Sequence, residues 1–315
     1  MRAALLLVCL ALAGCSGGPS IREYTLVDTQ VELADTPFFP QARYQCGPAA
    51  LATVLVSSGV EVDPEALAPR VYLPGREGSL QSELIAATRH HERVPYLIAP
   101  DLHALLQEIE SGTPVLVMQN LALRLFPQWH YAVVVGYDSE GDSMLLRSGV
   151  DERVRMSRLR FEATWSRAGR WAMVAAPPAQ PPVTAAYSGW LQAASAFEEL
   201  GQPLLAEKAY QAATIRWPSQ VMAWKALANA RYAQGDLEGA ESALRYAIRL
   251  APSVPAHNNL ANVLLGQGCI AAAGAELNNA RDLDDSGQFF RVLEDTASAI
   301  NARAPGNEDR CASLY

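Results

Sequence analysis

The chain has 315 residues, half of them hydrophobic, with 25 basic against 33 acidic side chains and a net charge of −8. That length fits about two domains with sizeable cores. No basic run stands out, so neither nucleic acid nor an anionic membrane surface is favoured as a partner. No Cys/His cluster has zinc spacing and no phosphate-binding loop occurs, so no metal or cofactor is expected.

Met1-Arg2 is a minimal positive start, and Ala3 to Ala13 is an apolar run far shorter than the roughly 20 residues a membrane-spanning helix needs. The run ends in Leu12-Ala13-Gly14-Cys15, which resembles a lipobox. The resemblance implies removal of residues 1–14 and a diacylglycerol on the Cys15 thiol. Ser16 follows, with no aspartate there to retain the protein at the inner membrane, so the resemblance implies an outer-membrane lipoprotein of the bacterial envelope facing the periplasm. Several acyl chains on one cysteine would give a stable hold where a single chain binds only marginally. Residues 15–36 are polar and mixed and read as a tether. Cys9 leaves with the signal, so Cys46, Cys269 and Cys311 remain in an oxidising compartment. An odd count there suggests one reactive thiol and one disulfide.

Residues 37–176 read as mixed α and β. Gly47 to Val56 is an apolar helix ended by Ser57-Ser58-Gly59; Ser79 to His91 is a helix with Ser79 at its N-cap; Leu102 to Ile109 is another. Val115 to Met118, Tyr131 to Tyr137 and Met144 to Arg147 are strands, the last two joined as a hairpin by the turn residues 138–142, and Arg170 to Ala176 closes the domain. Pro177-Pro178-Ala179-Gln180-Pro181-Pro182 then breaks the pattern, and 177–186 reads as a stiff extended linker.

Residues 187–304 are helical and repetitive. Trp190 recurs as Trp224, Gly201 as Gly235, Ala206 as Ala240, Ala213 as Ala247 and Pro218 as Pro252, a period of 34; Gly235 to Gly268 and Ala240 to Ala273 step by 33. This resembles the tetratricopeptide repeat, with small residues where helices touch and glycine at the turn. The third copy departs, with His257 in the tryptophan position and Asp285 where proline is expected. Phe289 to Ala302 is the expected capping helix, and 305–315 is a tail.

Two segments carry chemistry. In Gln41-Ala42-Arg43-Tyr44-Gln45-Cys46-Gly47-Pro48, the cysteine stands at the start of an apolar helix, where the macrodipole favours thiolate. The Gln41 amide and the Cys46 backbone N–H would form an oxyanion hole. In Trp129-His130-Tyr131-Ala132-Val133-Val134-Val135-Gly136-Tyr137-Asp138, the histidine opens a β-branched run and would serve as general base. His90 and His91 are adjacent on a helix and point apart, so they share no metal; His103 and His257 read as structural or exposed. Once Cys46 is assigned to chemistry, Cys269 and Cys311 are the pair left for a disulfide, which requires Cα atoms within about 7 Å.

Together the two segments resemble the papain-like clan, most closely cysteine peptidase family 39, the bacteriocin-leader-processing peptidases, over about 140 residues. The resemblance implies an α+β papain-like cysteine peptidase domain followed by an all-α tetratricopeptide-repeat solenoid. It implies Gln41 as oxyanion donor, Cys46 as nucleophile and His130 as base. The family's third residue, an aspartate or asparagine on the returning hairpin strand, is replaced here by Ser148; Asp151 is the nearest carboxylate, and Asp138 lies about 26 Å along the strand from His130. Alignment favours Ser148 and charge favours Asp151. The reading is an envelope cysteine peptidase acting on an extended peptide or protein, with the repeat groove recruiting substrate or a protein partner and the lipid holding it to the membrane. Two others compete: a non-catalytic peptidase-like scaffold, which the neutral Ser148 favours, and thiol acyl or amide transfer on the same fold.

Overall fold

The β-branched run after His130 becomes an interior strand of a seven-stranded antiparallel sheet in the computed structural model, which describes residues 19–40, 45–303 and 311. The chain divides into two units. One holds the residues up to Ala176 together with Pro182–Ala185, and the other holds Pro177–Pro181 and the residues from Ala186 on.

The first unit contains, in chain order, β1 (Gln30–Glu32), α1 (Cys46–Ser57), α2 (Pro64–Val71), α3 (Gln81–His90), β2 (Val94–Leu97), α4 (Leu102–Glu110), β3 (Val115–Asn120), β4 (Trp129–Asp138), β5 (Ser143–Ser148), β6 (Asp151–Ser157), α5 (Arg158–Arg167) and β7 (Ala172–Ala176). The sheet order is β2-β7-β3-β4-β5-β6, and β1 pairs with the far end of β4. Tyr131, Val133 and Val135 project from β4 into a core shared with α1, α2 and α3. Ala132 and Val134 between them are buried as well, α4 packs on β4 and α5 on β3. A strand covered on both faces reads as a continuous apolar run rather than an alternation. Helix α1 is buried from Gly47 to Leu55, so it too lacks a polar stripe.

Three expectations are corrected here. Ser79 is not a helix cap: α3 begins at Gln81 with Leu80 before it. Ser79 instead packs on Gly47, where a Cβ would lie 2.1 Å from its Oγ, so only glycine fits after Cys46. The supposed tether is folded from Ile21 to Glu32. Ile21 is fully buried, Arg22 Nε donates to the Ser139 carbonyl, the Tyr137 hydroxyl donates to the Asp28 carbonyl at 2.9 Å, and β1 runs so close to β4 that Gly136 has no room for a Cβ. All of these partners lie more than a hundred residues away in sequence, which is why a polar stretch hid them. The proline stretch is not an extended spacer either. Gln180 N–H closes a turn on the Pro177 carbonyl, and the backbone N–H and hydroxyl of Thr184 both donate to Glu108 Oε1.

The second unit is a row of helices: α6 (Tyr187–Glu199), α7 (Pro203–Arg216), α8 (Val221–Ala233), α9 (Leu237–Leu250), α10 (Val254–Gln267), α11 (Ile270–Asp282) and the cap α12 (Phe290–Arg303). Each packs on the next. Gly201, Gly235 and Gly268 have φ of 69°, 80° and 85° at the turns within the three helix pairs, a conformation that costs other residues strain. Ala206, Ala240 and Ala273 are fully buried at the contacts, where small side chains let helices approach. The departures in the third copy have a structural counterpart. Trp190 Nε1 donates to the carbonyl of Ala209, and His257 Nδ1 lies 2.6 Å from Glu276 Oε2, so in both repeats the side chain reaches the residue nineteen positions on in the following helix. The imidazole–carboxylate pair stands in for the indole–carbonyl bond. Trp224 instead stacks on Tyr246 at 4.0 Å. Cys269 and Cys311 are disulfide-bonded with Cα atoms 4.9 Å apart, as elimination among the cysteines suggested.

Candidate active site

The first turn of α1 and the first residues of β4 build the site. Cys46 is the first residue of α1, partly buried, with its thiol faced by the backbone N–H groups of Tyr131, Gly47 and Cys46 itself. The N–H of Tyr131 brings the sulfur to the start of β4, beside His130. Tyr131 is clamped in turn, its hydroxyl donating to the Ser79 carbonyl at 3.3 Å.

His130 pairs with Gln119 across the β3–β4 ladder, and its Nε2 lies 2.8 Å from Ser148 Oγ. The β4–β5 register explains the contact. Val133 is opposite Arg147, so one further step puts Ser148 opposite Ala132, diagonal to His130 on the same face. With Nε2 engaged by Ser148, Nδ1 is the ring nitrogen that this bond leaves open. Asp151 makes no contact of this kind. It opens β6, exposed, across a two-residue turn from Ser148. Gly149, whose involvement as a bulge would have brought Asp151 to the imidazole, is instead the first central residue of that turn, with φ of 65°.

Burial pushes the Cys46 thiol up, and the three facing N–H groups do not offset it; burial also pushes His130 down. Both effects favour the neutral pair. The expectation that the helix start alone depresses the thiol is thereby reversed: the dipole acts on a sulfur that has lost much of its water.

Cys46, His130 and Tyr131 open onto a cleft of about 920 Å³, also lined by Ser79, Met118 and Gly149. Gln81 enters it and donates to Met118 Sδ at 3.6 Å. Neither Gln81, Met118 nor Ser79 carried a functional signal in the sequence, because each reaches the cleft through packing rather than a motif. Gln41 and Cys15 lie outside the described residues. The other histidines are elsewhere: His90 and His91 meet edge to face, His103 stacks on Tyr24, and His257 pairs with Glu276. Among the described residues no group of three potential ligands gathers for a metal.

A helix-borne cysteine and a strand-borne histidine meeting at one cleft define an α+β domain of the cysteine-peptidase type, and the helical unit is a tetratricopeptide-repeat array. Residues 33–173 match the Peptidase C39 like family, and residues 191–255 and 226–288 match the tetratricopeptide repeat. The chain therefore carries a C39-like peptidase domain fused to tetratricopeptide repeats. No curated protein matches it. Among solved structures, it is similar to a Bacillus anthracis protein described as a C39-like peptidase, at 20% identity over 46% of this chain and 96% of that one, with a TM-score of 0.39. It is also similar to the Yersinia enterocolitica type III secretion chaperone SycD in complex with a peptide of the translocator YopD, at 20% identity over 37% of this chain and 90% of that one, with a TM-score of 0.35. The TPR2B domain of yeast Sti1 is similar at 20% identity over 35% of this chain and 91% of that one, with a TM-score of 0.34.

Proposed function

We propose that the protein is a lipid-anchored envelope cysteine peptidase whose repeats recruit its substrate or a protein partner. The observation that carries the reading is the His130 imidazole held by Ser148 at 2.8 Å in the cleft that Cys46 lines. Cys46 Sγ attacks the scissile carbonyl and its proton passes to His130 Nδ1. The oxyanion is received by the Cys46 N–H and the Gln41 amide. Collapse leaves a thioester on Cys46 while His130 returns the proton to the departing amine, and a water deprotonated by His130 then hydrolyses the thioester. The test is the intact mass of the protein after exposure to a peptidyl acyloxymethyl ketone. One adduct on the wild type and none on Cys46→Ala supports the reading. A wild type that stays unlabelled, with its fold intact, leaves the scaffold reading.

The scaffold reading has its own support in Ser148. A serine can fix the imidazole but cannot stabilise imidazolium by charge; under the peptidase reading the site is therefore a Cys–His pair with a neutral orienter. Ser148→Ala removes one hydrogen bond and should lower turnover roughly three- to tenfold. Ser148→Asp should keep or raise turnover, and Asp151→Ala should leave it unchanged. Turnover collapsing in Asp151→Ala would reverse the assignment.

The anchor rests on Leu12-Ala13-Gly14-Cys15. Cys15→Ser should move the protein from the membrane fraction to the soluble periplasmic fraction, since the acyl chains would be its membrane hold. Unchanged fractionation would count against lipidation and against the outer-membrane location that goes with it.

A further inference from the structure

We propose that the loop between β3 and β4 is an apolar platform that receives bulky apolar side chains of an extended peptide lying across Cys46; the proposal rests on the peptidase reading of the same cleft. Leu123, Leu125 and Phe126 on this loop, and Trp129 where it joins β4, are 71%, 86%, 77% and 53% exposed. Four large apolar side chains this exposed within seven residues of one another concentrate apolar surface, and concentrated apolar surface marks interaction sites.

The loop is held rigid. Asn120, almost fully buried, accepts from the N–H of Ala122 at 3.1 Å and of Gln128 at 3.0 Å through Oδ1 and donates to the Leu123 carbonyl. Phe126 N–H closes a turn on the Leu123 carbonyl at 3.2 Å, Leu121 N–H bonds the Gln128 carbonyl, and the Arg167 guanidinium clamps the Asn120 carbonyl. Such a network fixes side chains that point to water, and binding to a surface already fixed avoids the entropy of ordering it.

The platform continues the cleft. Gln128 and Trp129 line it, as does Gly149, and Val150 next to Gly149 is exposed as well. A peptide crossing Cys46 therefore meets Trp129 and the β5–β6 turn at Gly149, and one that extends past Trp129 onto the loop reaches Leu123, Leu125 and Phe126. A bilayer is the less favoured occupant for two reasons. Arg124 is the single cation between 121 and 129, whereas a lipid-docking segment gathers several. The N-terminal strap, moreover, is fastened beyond the opposite end of β4, where Ile21 N–H donates to Asp142 Oδ1 in the turn after Asp138, itself about 26 Å along the strand from His130. An anchor upstream of Ile21 holds the unit by the end away from the platform.

The experiment uses the full chain and a pool of synthetic peptides of defined sequence, some with Leu or Phe spaced through them and some with only polar residues. The wild type should cut the apolar peptides preferentially. In Leu125→Glu/Phe126→Glu the preference should fall roughly tenfold or more, the loss of one buried apolar side chain being worth about that factor. Cys46 alkylation should stay unchanged in that variant, showing an intact cleft. In parallel, Cys46→Ala should capture apolar peptides from the pool, and capture should vanish when the two loop changes are added. A wild type that cuts apolar and polar peptides alike overturns the platform and leaves the peptidase reading standing. A wild type that cuts nothing, while Cys46→Ala still captures apolar peptides through the loop, sinks the peptidase reading and keeps the platform. Absence of both cutting and capture overturns the platform. So does flotation of Cys15→Ser protein on phosphatidylethanolamine–phosphatidylglycerol vesicles that the loop changes abolish, with no peptide preference; the loop then docks on lipid.

Discussion

Replacing His130 by alanine should lower peptide turnover by about 10²–10⁴-fold, the contribution expected of a positioned general base, while leaving the alkylation of Cys46 by iodoacetamide nearly unchanged at alkaline pH. The two readouts separate because burial makes the resting pair neutral: the thiol is pushed up and the imidazole down. Alkylation needs thiolate, so its rate should climb with pH into and beyond the ordinary thiol range rather than level off near neutrality. Turnover needs a neutral imidazole facing a protonated thiol. It should be flat around neutral pH and decline on the acid side only below about 6.5, the ordinary histidine value, because the folded His130 titrates lower. The same shift bears on stability. The unfolded chain takes up that proton more readily than the folded one, so the first unit should lose stability as pH falls below about 6.5, and its contribution should be fully present above. An alkylation plateau near pH 6, abolished in His130→Ala, would mean a thiolate–imidazolium pair and reject the neutral description.

Cys311→Ser should lower the stability of the repeat unit by about 4 kcal/mol, from the loop-closure entropy of a disulfide that spans 42 residues. The bond ties the start of α11 to a point beyond α12, so it closes the cap onto the last repeat. The cap is also held by packing and hydrogen bonds: Leu293 and Ile300 are buried, the Thr296 hydroxyl donates to Asn258 Oδ1 at 2.9 Å, and the Arg303 guanidinium donates to the Leu265 carbonyl at 2.7 Å. In urea, followed by far-UV circular dichroism on the full chain, the helical transition should move down by roughly 2 M, with a slope no shallower than before because the denatured chain without the cross-link is less compact. Reductant should shift the wild type to the position of the variant and leave the variant where it is. Coincident transitions for oxidised and reduced protein would remove the disulfide as a stabilising element.

Much of the architecture was legible in local chemistry. The period linking Trp190 with Trp224 and Gly201 with Gly235 specified helix pairs, because small residues and αL glycines recur wherever identical units stack. Cys46 before an apolar helix and His130 before a β-branched run were readable because each signal lies within a dozen residues, inside the reach of helix and strand propensity. Elimination among five cysteines led to Cys269–Cys311 without geometry. What the tertiary structure alone decided depends on groups distant in sequence. Ser148 rather than Asp151 meets His130 because the β4–β5 register and the Gly149 turn set which side chains share a face, and a register shift of one residue would turn Ser148 to the opposite face, away from His130. The strap from Ile21 to Glu32 and the turns after Ala176 looked like linkers because their partners, Ser139, Asp142 and Glu108, are named only by the fold. The direction of the Cys46 shift reversed because desolvation is a property of packing around the thiol, and no window of sequence contains it.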